Sequence, residues 1–174
     1  MLGSIFPNLV CKALDLVDES SNASSVPQQV LEICQKKALA TKDRSNYDLT
    51  IVSDTMLQDP DVESIALGKP KNKIDAAAML HRLSGRRHKV WSATGIFHLD
   101  EWTFHLNESI VEIDSLSDEI LVELVLNDSW IGKAGGYDLA GPMRSYAKLI
   151  DGYESTVLGI AADAMEHLLQ LSGS

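Results

Sequence analysis

Positive charge is scarce in this chain of 174 residues, with 15 Lys and Arg against 25 Asp and Glu and a formal net charge of −10. That balance argues against a surface for a nucleic-acid polymer, which needs a basic excess. A free nucleotide stays open, because a metal and a few local lysines can meet its phosphates. Cysteine is scarce too. Cys11 and Cys34 form neither a CxxC nor a disulfide framework, which points to a reducing compartment, the cytoplasm. The five histidines show no zinc-ligand spacing, and His98 and His105 read as surface or cross-strand residues of a hairpin. No apolar run approaches the roughly 18 residues of a membrane helix, so no membrane partner is expected. The opening Met1-Leu2-Gly3-Ser4-Ile5-Phe6 lacks the basic region of a signal peptide. There is no internal repeat and no GxxxxGK[ST] phosphate loop.

What is present is 45% hydrophobic residues, enough for one α/β domain over 1–174. The stretch Asp18 to Ser25 reads as a polar loop. A helix is predicted over Ser25–Lys42, with Ser25 as N-cap, Pro27 in the first turn and Gln28 completing a capping box. Val30, Ile33, Cys34, Ala38 and Thr41 form its apolar stripe, and Lys37 falls in the middle of it. A lysine on an inward face is costly unless its charge is met. Either it snorkels past the helix end, or its ammonium points into a cleft that holds an anion.

Leu49–Ser53 reads as a central, parallel strand, running on through Thr55, Met56 and Leu57 to a turn at Gln58-Asp59-Pro60-Asp61. A second helix follows over Asn72–Ser84, ended by Gly85. Lys89–Leu99 and Trp102–Ile113 make a hairpin turning near Asp100. Ser117 caps a third helix carrying Ile120, Leu121, Leu124 and Val125. A glycine-rich loop, Lys133-Ala134-Gly135-Gly136-Tyr137, precedes a strand over Met143–Ile150 and a closing helix over Ala161–Leu171. The irregular alternation favours a mixed sheet with helices around it.

Asp54 is the first candidate for chemistry. A carboxylate at the end of a strand can hold Mg²⁺ or orient a water. As a lone residue it is more often a turn or cap. Lys69, between Gly68 and Pro70, has a stiff backbone behind a free charged tip. Lys133 precedes glycines that allow close approach to a phosphate. Arg86-Arg87-His88 reads most simply as a solvated turn.

These motifs together resemble those of the Maf family of nucleoside triphosphate pyrophosphatases. That family shows a strand ending in Ala/Ser-Asp-Thr, then Gly-Lys-Pro, then a helix closing with Leu-Ser-Gly-Arg and His-x-Val. Here they are Ser53-Asp54-Thr55, Gly68-Lys69-Pro70, Leu83-Ser84-Gly85-Arg86 and His88-Lys89-Val90. Thr94-Gly95, Lys133-Ala134-Gly135-Gly136-Tyr137, Asp18-Glu19 and Lys37-Ala38 match further family segments, so the likeness covers essentially the whole chain. It implies an α/β fold like that of inosine triphosphatase, an elongated mixed sheet in two lobes with a central nucleotide cleft. It implies hydrolysis of a nucleoside triphosphate to a monophosphate and pyrophosphate. Asp54 and Glu19 would serve the metal, Mg²⁺ or Mn²⁺, and the attacking water. Lys37, Lys69 and Lys133 would bind the substrate. Thr55 and His88 resemble the branch acting on dTTP and UTP.

Three departures from the family stand out. Its opening strand and Ser-x-Ser-Pro-Arg-Arg phosphate loop have no counterpart, since Met1-Leu2-Gly3 aligns with the end of the helix after that loop. A chain without them is expected to be weakly active and marginally stable. The family's Gln before Gly is Ala140, and its late Gly-Leu-Pro is Gly159-Ile160-Ala161. The rival expectations are a catalytically impaired truncated relative that acts by binding, or a cell-division regulator. Self-association, as a homodimer, is a further expectation from an uncovered sheet edge.

Overall fold

A computed structural model describes residues 2–14 and 17–173. The helices are α1 (Leu2–Ile5), α2 (Val26–Ala40), α3 (Lys73–Leu83), α4 (Asp118–Leu126), α5 (Glu154–Val157) and α6 (Ala162–Ser172). The strands are β1 (Thr50–Gln58), β2 (Ala66–Leu67), β3 (Arg87–His98), β4 (Glu101–Ile113) and β5 (Ala147–Asp151). They form one sheet in the order β2-β1-β3-β4-β5. The α/β class holds. The expected parallel central strand does not, because every described strand pair is antiparallel. An unbroken apolar run reports burial on both faces, which an antiparallel strand between two helical layers satisfies equally well.

The β3–β4 hairpin is the long spine of the sheet. Its two-residue turn, Leu99-Asp100, has φ of 49° and 65°, the paired positive values that match the twist of flanking strands. Alternation along the strands then sorts side chains onto two faces. On one face α2 lays Val26, Val30, Cys34 and Ala38 against Val52 and Ala93. On the other, α6 packs Ala164 and Leu168 beside Ile96 and Ile160. A third cluster gathers Leu80 and Leu83 of α3, Leu124 and Val125 of α4, and Val111 and Ile113 of β4.

Local signals account for most element ends. Asn72 caps α3, its side chain accepting from the backbone N–H of Ile74 and Asp75. Ser117 caps α4 by accepting from Ile120. Ser25 stands at the N-cap of α2, but its side chain makes no cap bond, so the expected capping box is not formed. The expected strand over 143–150 begins later, because Pro142–Ser145 forms a 3₁₀ turn first. No helix among the described residues is long and apolar enough to cross a membrane.

The glycine-rich loop crosses close above β1. Gly135 has φ of 66°, a left-handed conformation that costs other residues free energy. A Cβ there would also drive into the Leu57 side chain. The Gly135 N–H donates to the Gly68 carbonyl at 2.9 Å, which ties this loop to the turn carrying Lys69. Gly135→Ala is therefore expected to destabilise the protein by about 1–3 kcal/mol. Gly132→Ala should cost less, since Gly132 has φ of 74° but no atom within 4 Å of the added Cβ. Urea unfolding of both variants checks the order; equal costs would mean that backbone strain alone matters.

Candidate active site

A cleft of about 270 Å³ opens where β1, the Lys69 turn, the glycine-rich loop and residues 157–159 meet. Its lining mixes two chemistries: Lys37, Asp54, Lys69 and Lys133 carry charge, while Leu57, Val90, Leu139, Val157 and Leu158 are apolar.

Lys37 organises the charged residues. The 3.6-residue repeat of α2 turns it toward the sheet, where its side chain is only 11% exposed. Its Nζ lies 2.6 Å from Asp54 Oδ1 and 3.0 Å from Glu19 Oε1. It also donates to the Ser53 carbonyl at 3.2 Å. The Lys69 ammonium stands 3.4 Å from Glu19 Oε2. So Lys37, Glu19, Asp54 and Lys69 form one contiguous cluster. Lys37 points into the cleft, and snorkelling is the reading that fails.

Burial pushes the Asp54 carboxyl above its ordinary range, with the Lys37 ammonium pulling against it. Burial also works against the charge on Lys37, but Asp54 and Glu19 outweigh it and raise the Lys37 pKa. Burial opposes the charge of Glu19 as well, and Lys37 and Lys69 prevail, lowering its pKa. One oxygen, Asp54 Oδ2, is buried and has no hydrogen-bond partner. A carboxylate rarely leaves a buried oxygen idle without a ligand to serve.

A divalent cation fits this donor set. Among the described residues no cluster of three or more His, Cys, Asp or Glu side chains could hold a metal. Two carboxylates, one with an unpartnered oxygen, suit Mg²⁺, which commonly takes one or two carboxylates and completes its shell with water and substrate phosphates.

Lys133 lines the same cleft but stands apart from the Lys37 cluster, paired to Asp138 at 2.8 Å. Ala140 is exposed, and its N–H is taken by the Asp138 side chain at 2.9 Å. Gly159, the unchanged residue of Gly159-Ile160-Ala161, forms part of the cleft wall, while the two altered residues, Ile160 and Ala161, are buried at the entry to α6.

His88 corrects the reading of Arg86-Arg87-His88 as a solvated turn. Arg87 opens β3, and His88 is 3% exposed. Its Nε2 shares a 2.8 Å hydrogen bond with Tyr137 Oη, and Tyr137 lines the cleft. A rigid strand thereby holds the glycine-rich loop. The period-two run His88, Val90, Ser92 carried the signal for this burial. Asp138, Ser92 and the wall at Val157 to Gly159 also went unforeseen. His98 and His105 both lie in the hairpin as expected, and His105 Nε2 sits 3.2 Å from His167 Nδ1 of α6.

The sequence model of a family described as "Maf-like protein" matches residues 2–172. A "dTTP/UTP pyrophosphatase" of Pyrococcus abyssi is 30% identical over 155 residues, 89% of this chain and 81% of that protein. Another so named, from Zymomonas mobilis, is 30% identical over 171 residues, covering 97% and 82%. A third, from Leptospira borgpetersenii, is 37% identical over 147 residues, covering 82% and 74%.

Burial lowers the His88 pKa from 6.5 to about 4. Between those values the unfolded chain takes up a proton that the folded chain refuses. Stability is then complete above pH 6.5 and falls as pH drops toward 4, by on the order of 3 kcal/mol. Urea unfolding between pH 7 and pH 4 should show this slope, and His88→Gln should flatten it. An unchanged slope in His88→Gln would assign the loss to other groups.

Proposed function

The chain belongs to the Maf family, and from that membership and the chemistry of the cleft we propose that it is a nucleoside triphosphate pyrophosphatase acting on dTTP or UTP. It cleaves between the α and β phosphates, leaving a nucleoside monophosphate and pyrophosphate. The observation that carries this reading is the unpartnered Asp54 Oδ2 in a cleft lined by three lysines and by apolar side chains. A nucleotide calls for both, cations for its triphosphate and apolar surface for its flat base. The names of the relatives from Pyrococcus abyssi and Leptospira borgpetersenii support the substrate class.

Asp54 and Glu19 would hold a divalent cation, Mg²⁺ or Mn²⁺, which when bound neutralises charge on the phosphate oxygens. Lys37 keeps the two carboxylates together against their mutual repulsion. Asp54 Oδ2 accepts a hydrogen bond from the attacking water and aims its oxygen at the α phosphorus. Lys37, Lys69 and Lys133 meet the phosphates, Lys133 exchanging Asp138 for one of them. The protein supplies position and charge compensation, which is most of what phosphoryl chemistry requires. The same reading places the enzyme with its substrates in the cytoplasm.

Asp54→Asn keeps size and removes charge. It is expected to lower pyrophosphate release from UTP with Mg²⁺ by at least ~10². Chelation of divalent cations should stop release by the unaltered chain, and Mg²⁺ or Mn²⁺ should restore it. Thermal melting establishes that the variant is folded. Near wild-type turnover by folded Asp54→Asn would sink the assignment.

A further inference from the structure

One of the two carboxylates beside Lys37 comes from an irregular part of the chain. Glu19 belongs to no helix or strand. From Asp18 to Ser24 no backbone group bonds another backbone group among the described residues. Asp54 carries the same charge and opposes the approach of Glu19. Lys37 and Lys69 reach the Glu19 carboxylate itself. Phosphates entering the cleft compete for both ammonium groups, so those two contacts are weakest when the carboxylate is needed most.

Side chains of α2 hold the segment instead. Gln29, Glu32 and Lys36 are spaced by three and four residues and share one face of the helix. Gln29 Nε2 donates to the Ala23 carbonyl at 2.9 Å, and Glu32 accepts from the Ser21 hydroxyl at 2.5 Å. Lys36 Nζ lies 2.9 Å from Asp18 Oδ2 and donates to the Ser20 carbonyl at 2.6 Å. The other Asp18 oxygen accepts from the Ser20 N–H at 3.0 Å and from its hydroxyl at 2.6 Å. Lys36 therefore grips the residue on each side of Glu19. Two consecutive lysines divide the work, Lys36 taking Asp18 and Ser20 while Lys37 takes Glu19 between them. An exposed ion pair adds little to global stability, so the consequence of this clamp is local.

We propose, on the metal reading of Glu19 above, that Lys36 is a positioning residue for Glu19. It holds the backbone on both sides of that residue, which keeps the carboxylate beside Asp54 when Lys37 and Lys69 turn to phosphate. Lys36 is not part of the cleft lining, and it acts through Glu19 alone. The sign of its effect separates this role from plain electrostatics. Loss of a positive charge near a cation site strengthens cation binding by charge alone, whereas loss of a clamp weakens it.

The test measures Mn²⁺ affinity by electron paramagnetic resonance with a non-cleavable α,β-imido analogue of UTP present. Lys36→Met keeps most of the stem and removes the donor. It should weaken Mn²⁺ binding by about 10-fold, the scale of a lost partner behind a metal ligand. Lys36→Arg, which still donates to a carboxylate and a carbonyl, should restore most of the affinity. In a Glu19→Gln background Lys36→Met should add no further loss. Unchanged or tighter Mn²⁺ binding by Lys36→Met overturns the proposal, as does an equal loss with and without Glu19. The ¹⁵N order parameter of the Glu19 amide is a second readout that needs no metal and no turnover. It should fall in Lys36→Met and recover in Lys36→Arg, and no fall overturns the proposal as well. Should the unaltered chain bind no Mn²⁺, the metal reading fails, and the order parameter still decides whether Lys36 holds Glu19.

Discussion

One ammonium group holds the charged side of this protein together. Lys37 Nζ touches Asp54 on β1, Glu19 in the polar segment before α2, and the Ser53 carbonyl. Removing a carboxylate from water costs several kcal/mol unless a partner compensates, and Asp54 is 7% exposed. Without Lys37, Asp54 would take up a proton and lose the charge that makes it useful. Without Asp54 and Glu19, Lys37 would be a cation stranded on an apolar helix face. The pair pins α2 to β1 at the point where the cleft opens, so the packing of that helix and the electrostatics of the site share one cause.

Strand geometry divides the labour next to that pair. Ser53, Asp54 and Thr55 are consecutive, and the pleat sends the middle one to the α2 face and its neighbours to the other. Ser53 Oγ bonds the Gly159 carbonyl at 2.5 Å and Thr55 joins Ser92. Three adjacent residues thus line one cleft, the central one paired with a charge and the flanking ones with a carbonyl and a hydroxyl.

The helices and the hairpin were legible because their signals are local. Periodicity marked α2 and α3, and Asn72 and Ser117 marked two helix starts. Lys37 was legible as a contradiction, a charge on an apolar stripe, and contradictions of that kind collect at sites. The direction of β1 was not legible, since its apolar run looks the same beside a parallel or an antiparallel neighbour. His88 was legible only in part. The period-two run His88, Val90, Ser92 carried its burial, but its partner Tyr137 is 49 residues away, and nothing near His88 announces it. The bond from the Ser92 hydroxyl to the Thr156 carbonyl was equally out of reach, because Thr156 approaches β3 only through the packing of α5.

The bond from the Gly135 N–H to the Gly68 carbonyl joins two loops that each bring a lysine to the cleft. Loops that move separately must each be ordered when a ligand arrives, and that ordering subtracts from affinity. Tied together, and held from the other side by His88 through Tyr137, they lose that freedom when the chain folds. The entropy of arranging the site is thereby charged to folding stability, and a polyanion entering the cleft meets lysine-bearing loops already preorganised.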